Sequence, residues 1–76
     1  MTIETVAETF SKLLKLAEVE DFDAYDELMT SFSNALKITE KRAEHLVDDF
    51  QFDKEFGKSD LAAAKSALEN RNVQLL

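Results

Sequence analysis

Residues 3–17 read IETVAETFSKLLKLA. Ile3, Val6, Phe10, Leu13, Leu14 and Ala17 follow one another at spacings of 3, 4, 3, 1 and 3, which lines one face of a 3.6-residue helix. Thr2 stands where an N-cap belongs. Glu4 falls in the first turn, where a carboxylate suits the helix dipole. Glu8 and Lys12 form an i,i+4 pair on the wet side. The stretch predicts an amphipathic helix from about Ile3 to Ala17.

The same pattern recurs three times. Val19 to Phe22 reads as a connection with two apolar anchors, and Asp23 as the N-cap of a second helix with Asp26 and Glu27 in its first turn. Tyr25, Leu28, Met29, Phe32 and Leu36 mark the buried face of that helix, while Ser31, Ser33 and Asn34 soften its middle. Thr39 caps a third helix, with Ile38 stapled against Ala43, and Ala43, Leu46, Val47 and Phe50 face inward. Phe52 and Phe56 carry the apolar content on to Gly57, the only glycine, which suits a left-handed helix end. Ser59 caps a fourth helix with Leu61, Ala64 and Leu68 inside, ending near Asn70 or Asn72. The apolar tail Val73-Gln74-Leu75-Leu76 packs back or meets a partner. Four short helices with short connections predict an all-α fold, a compact four-helix bundle forming one domain over residues 1–76.

Composition agrees. One Gly and no Pro argue against turn-rich β architectures, which need such residues at their corners. Without Cys there are no disulfides and no Cys-based zinc or redox sites, which fits an intracellular, cytoplasmic protein. The acidic N-terminus is not a signal peptide, and no run is long enough to span a membrane. A core this small is expected to contribute only roughly 3–5 kcal/mol.

Charge is uneven. Glu18, Glu20, Asp21, Asp23, Asp26 and Glu27 place six acids in ten positions, and no base occurs between Lys15 and Lys37. Residues 18–36 carry -6 of the total net charge of -7. Such a field repels phosphate and attracts a basic partner, so these six residues are the candidate partner-binding set.

Catalytic and metal signatures do not assemble. Gly57-Lys58-Ser59 resembles the end of a phosphate loop, but Phe52 stands where the first glycine must be, and a helix end followed by an N-cap explains the triplet. Asp21, Asp23 and Asp26 begin like a calcium loop, yet its central glycine is Asp26 and its closing glutamate is Phe32. His45 lacks a nucleophile partner or companion ligands, and Asp48 and Asp49 diverge on a helix. No enzyme activity, metal or cofactor is expected. Phe52 and Phe56 are the aromatics most exposed by position, able to stack on bases or fill a partner's pocket. Lys37, Lys41 and Arg42 are the one basic cluster, joined in the candidate nucleic-acid set by Lys54 and Lys58. Lys41 and Arg42 fall in the first turn of the third helix, where positive charge opposes the dipole and needs compensation, from Glu44 or the 18–27 acids.

The segments TVAETFSKLLKLA, DAYDELMTSFSNAL, TEKRAEHLVDDF and SDLAAAKSALENR, joined by tight connections, resemble the HRDC class, the helical auxiliary module at the C-terminal end of RecQ-type helicases. The chain is also similar to the small proteins that accompany UvsW-type recombination helicases of T4-type phages. The resemblance covers length and helix plan across the whole chain. It implies a non-enzymatic accessory of a DNA recombination or repair helicase, working in the host cytoplasm if phage-encoded. Such a module binds single-stranded or branched DNA weakly, docks onto the helicase, or both. By position, Lys37, Lys41 and Arg42 inherit the DNA-contacting role. The acidic balance departs from the basic working face of a DNA module and favours docking onto a protein. The alternative is an acidic interaction module or decoy in which the six carboxylates imitate phosphates.

Overall fold

A computed structural model describes residues 1–75 of the 76. Four helices follow in order: α1 Ile3–Glu18, α2 Phe22–Leu36, α3 Glu40–Glu55 and α4 Asp60–Asn70. Among the described residues there is no strand. α1 and α3 pack across the centre, and α2 and α4 each pack on both of them from opposite flanks. The bundle measures 28 × 27 × 19 Å.

Each helix starts with a side-chain cap. Thr2, Asp21, Thr39 and Ser59 accept from the backbone N–H three residues on, at 3.1–3.3 Å. Three of these match expectation, and the second is a correction: the cap of α2 is Asp21, not Asp23. The Asp21 N–H donates to the Leu16 carbonyl at 2.9 Å, closing the last turn of α1. One residue thus ends α1 and starts α2, so the connection is only Val19 to Asp21. Asp23 moves into the first turn of α2, where its charge still favours the dipole.

All four helices end alike. After α3, Lys58 N–H donates to Asp53 and Gly57 N–H to Lys54. The same pair of reverse bonds closes α1 at Glu20 and Asp21, α2 at Lys37 and Ile38, and α4 at Asn72 and Val73. This is the Schellman arrangement, which requires a left-handed residue. Gly57 meets that demand at φ 87°, while Glu20, Lys37 and Asn72 adopt φ of 55–59° against the preference of a side-chain-bearing residue.

The core centres on Phe10. Its ring lies 5.2 Å from Phe32, edge to face, and 5.0 Å from Phe50, and all three are buried. Val6, Leu13 and Leu46 are fully buried around them. Ala63, Ala64 and Ala67 supply the inner face of α4, and their small side chains let that helix sit close to α1 and α3. Some face assignments differ from the sequence reading. Ala7 is buried and Ala17 exposed in α1. Tyr25, Leu28 and Leu36 are half-buried. Leu61 is 48% exposed, because it sits at the open start of α4 in a shallow groove with Glu4, Ala7, Glu8 and Ser11. Ser33 is buried, and its hydroxyl is satisfied by donating to the Thr30 carbonyl at 3.0 Å. α2 runs unbroken through its Ser and Asn residues. Val73 is buried and Leu75 packs against the core, and Leu76 lies outside the described residues.

Candidate functional site

The six acids fall on the shoulder where α1 hands over to α2. Glu18 is the last residue of α1, Glu20 the left-handed residue after it, Asp21 the cap of α2, and Asp23, Asp26 and Glu27 its first turns. All six are exposed. Asp21 and Asp23 face the positive end of the α2 dipole, which explains their presence locally. Glu18 and Glu20 sit at the negative end of α1, where a carboxylate is unfavourable. Among the described residues no ion pair involves any of the six.

The acidic field extends onto α3. Burial raises the Tyr25 phenol above its ordinary 10.0, and the carboxylates of Glu44, Asp48 and Asp26 raise it further. Glu44 and Asp48 belong to α3, so they face the same side as the start of α2. Sequence reading offers Glu44 as compensation for Lys41 and Arg42 and Asp48 as half of a divergent pair with Asp49, and places neither beside Tyr25. Their approach to Tyr25 follows from α2 and α3 running antiparallel, as the Thr30 hydroxyl bound to the Glu40 carboxylate also shows.

The five candidate DNA-contacting bases do not form one patch. Lys41 and Lys54 are 13 positions apart on α3, about 20 Å along the helix axis. Three of the five have partners within the chain. Arg42 Nη2 donates to the Arg71 carbonyl at the end of α4. The dipole conflict expected for Arg42 is therefore relieved by a helix C-terminus, not by Glu44 or the 18–27 acids. Lys54 pairs with Asp60 at 2.6 Å, and this hydrogen bond holds the Asp60 carboxyl below its usual range. Lys58 reaches Asp53 and Ser66, both at 3.5 Å. Asp53 Oδ2 is buried without a well-formed hydrogen bond, so Lys58 supplies charge there more than geometry. Lys37 and Lys41, both exposed, have no hydrogen bond or ion pair from their side chains among the described residues.

One exposed apolar feature stands out. Phe52 and Phe56 are 59% and 73% exposed, and their rings lie 4.8 Å apart, tilted by 50°, at the C-terminal end of α3. Val19 and Phe22, which flank the acidic cap, are 60% and 58% exposed. His45 is exposed. No group of three or more His, Cys, Asp or Glu side chains converges as a metal site among the described residues. No described helix is long and apolar enough to cross a membrane. No protein-family model, curated protein or solved structure matches the chain.

Proposed function

We propose that this chain is a non-enzymatic interaction module that docks its acidic α1–α2 shoulder onto a basic surface of a DNA-processing protein. The resemblance to HRDC-type modules makes a recombination or repair helicase the expected partner. One observation carries the reading: six exposed carboxylates crowd the shoulder, and among the described residues no base is paired to them. Their mutual repulsion is relieved when a complementary positive surface arrives, and their field speeds its approach. Val19 and Phe22 add apolar area inside that charged rim. Of the bases that a DNA module would use, only Lys37 and Lys41 are unengaged. Two phosphate contacts on a chain of net charge -7 give weak, strongly salt-dependent DNA binding at most.

The test is an amide NMR titration of the labelled protein with forked DNA and, separately, with a purified RecQ-type helicase motor. The helicase is expected to broaden the amides of residues 18–27. The triple variant Asp23→Asn, Asp26→Asn, Glu27→Gln, which keeps the Asp21 cap, is expected to weaken that response. A helicase response that forked DNA competes away would identify the shoulder as a phosphate mimic. Salt-sensitive shifts at residues 37–42 with DNA, and none at 18–27 with helicase, would restore direct DNA binding as the role.

A further inference from the structure

The Phe52–Phe56 pair is not explained by folding. Both rings stand more than half exposed in a bundle whose other four phenylalanines include three that are buried. They belong to a continuous stripe on the outer side of α3. Asp48, Phe52, Glu55 and Phe56 follow at helical spacing, and Asp48, Gln51, Phe52 and Glu55 line one shallow depression. An aromatic face is thereby set between two carboxylates.

We propose that this stripe is a docking site for a basic segment of a protein partner, with an arginine side chain seated against Phe52 between Asp48 and Glu55. The chemistry of the depression selects the occupant. A guanidinium is planar, stacks on an aromatic face and forks onto carboxylates, so one side chain uses both features. An ammonium fits the charge but stacks less well. A nucleic acid strand matches the rings but not the acids, whose charge repels its phosphates. A second copy of this chain would bring Asp48 and Glu55 against their own kind if the stripes met face to face, and each chain carries a net charge of -7. The stripe shares Asp48 with the acidic field around Tyr25, but its rings belong to the end of α3, so the response of Phe52 and Phe56 tells the two surfaces apart.

The test uses the full labelled chain and three short capped peptides of one apolar framework, carrying two arginines, two lysines or two glutamines. The arginine peptide is expected to shift the amides of Asp48, Phe52, Glu55 and Phe56. It should bind more tightly than the lysine peptide, by no more than the about two- to fivefold that a whole exposed cation–π contact is worth. The double variant Phe52→Ala, Phe56→Ala removes only exposed rings, so it should fold, lose the α3 shifts and keep any electrostatic shifts at 18–27. Four results would each overturn the proposal: shifts confined to 18–27, equal response to the glutamine peptide, α3 shifts that survive loss of both rings, or shifts at Phe52 and Phe56 that track protein concentration without peptide. The last would assign the stripe to self-association. A stronger response of these amides to single-stranded DNA than to the arginine peptide would also overturn it.

Discussion

Arg71 grips Asp49 through two hydrogen bonds, Nε to Oδ2 at 2.9 Å and Nη2 to Oδ1 at 3.2 Å. The fork joins the residue that closes α4 to the middle of α3, and the carbonyl of the same Arg71 accepts from Arg42 at the start of α3. A single residue thus ties the end of α4 to α3 at two levels. The guanidinium of Arg71 is held above its ordinary value by the Asp49 hydrogen bonds and charge. Because the pair is partly exposed, salt screens it. Asp49→Asn is expected to lower Tm by a few degrees at low salt and by less at high salt, followed by helical circular dichroism. An unchanged Tm at low salt would show that the fork orders side chains without stabilising the bundle.

Asp60 gives the acid limb of stability a definite sign. Its carboxyl is held below the ordinary 3.8, first by the Lys54 hydrogen bond, then by the Lys54 charge and the Ser11 hydroxyl. A depressed folded pKa contributes stability that is present above the unfolded value and is lost as pH falls through the folded one. Asp60→Asn is therefore expected to cost stability at neutral pH and nothing once wild-type Asp60 is itself protonated. Chemical denaturation of both proteins at neutral pH and at a pH below the ordinary carboxylate range measures this. The pair is exposed, so the difference is small, and curves that stay parallel at both pH values would rule the linkage out.

Tyr25 reports the acidic face directly. It is the only Tyr, and the chain has no Trp, so tyrosinate absorbance belongs to one residue. Burial and the charges of Glu44, Asp48 and Asp26 all disfavour the phenolate, so Tyr25 is expected to ionise above the ordinary 10.0. Its folded pKa being raised, the contribution to stability is full below the unfolded value and is lost as pH rises through the folded one. Glu44→Gln together with Asp48→Asn should bring the titration part of the way down, leaving the share due to burial. A midpoint indifferent to both substitutions would mean that these carboxylates do not approach the ring.

How far the sequence could be read depends on the range of each interaction. The placement of Phe10, Phe32 and Phe50 in the core followed from helical spacing, because a periodic apolar face is a local signal. Thr2, Thr39 and Ser59 were legible as caps for the same reason. Asp21 was not, since four acids within six residues offered several caps, and the choice was made by a backbone bond to Leu16. α4 was blurred because alanines populate both its faces, so that Leu61 passed for core. The candidate site was harder. The acidic shoulder is contiguous in sequence and was visible at once. The engagement of Arg42 by the Arg71 carbonyl, 29 residues away, depends on helix packing, and no pattern in the sequence announces it. The left-handed turn at Lys37 was equally hidden, because only Gly or Asn at that place signals such a turn.

Lys37 therefore makes the sharpest comparison with Gly57. Both occupy the left-handed position of the same helix-ending motif, at φ 58° and 87°. A side-chain-bearing residue there is strained by about 1–2 kcal/mol. Glycine removes the strain but adds roughly 0.5–1 kcal/mol of unfolded-chain entropy to overcome. Lys37→Gly should thus gain about 0.5–1 kcal/mol, a rise in Tm of about 2–8 °C for a domain of this size. Gly57→Ala should lose a similar amount through the backbone alone, because nothing lies within 4 Å of the added Cβ. Lys37 is also one of the two unengaged bases of the candidate DNA-contacting set, so the same variant separates two roles. Higher Tm with unchanged DNA shifts would make Lys37 a tolerated misfit. Higher Tm with weakened shifts would mean that the lysine is kept at a cost in stability for what it touches. A lower Tm would contradict the strain argument itself.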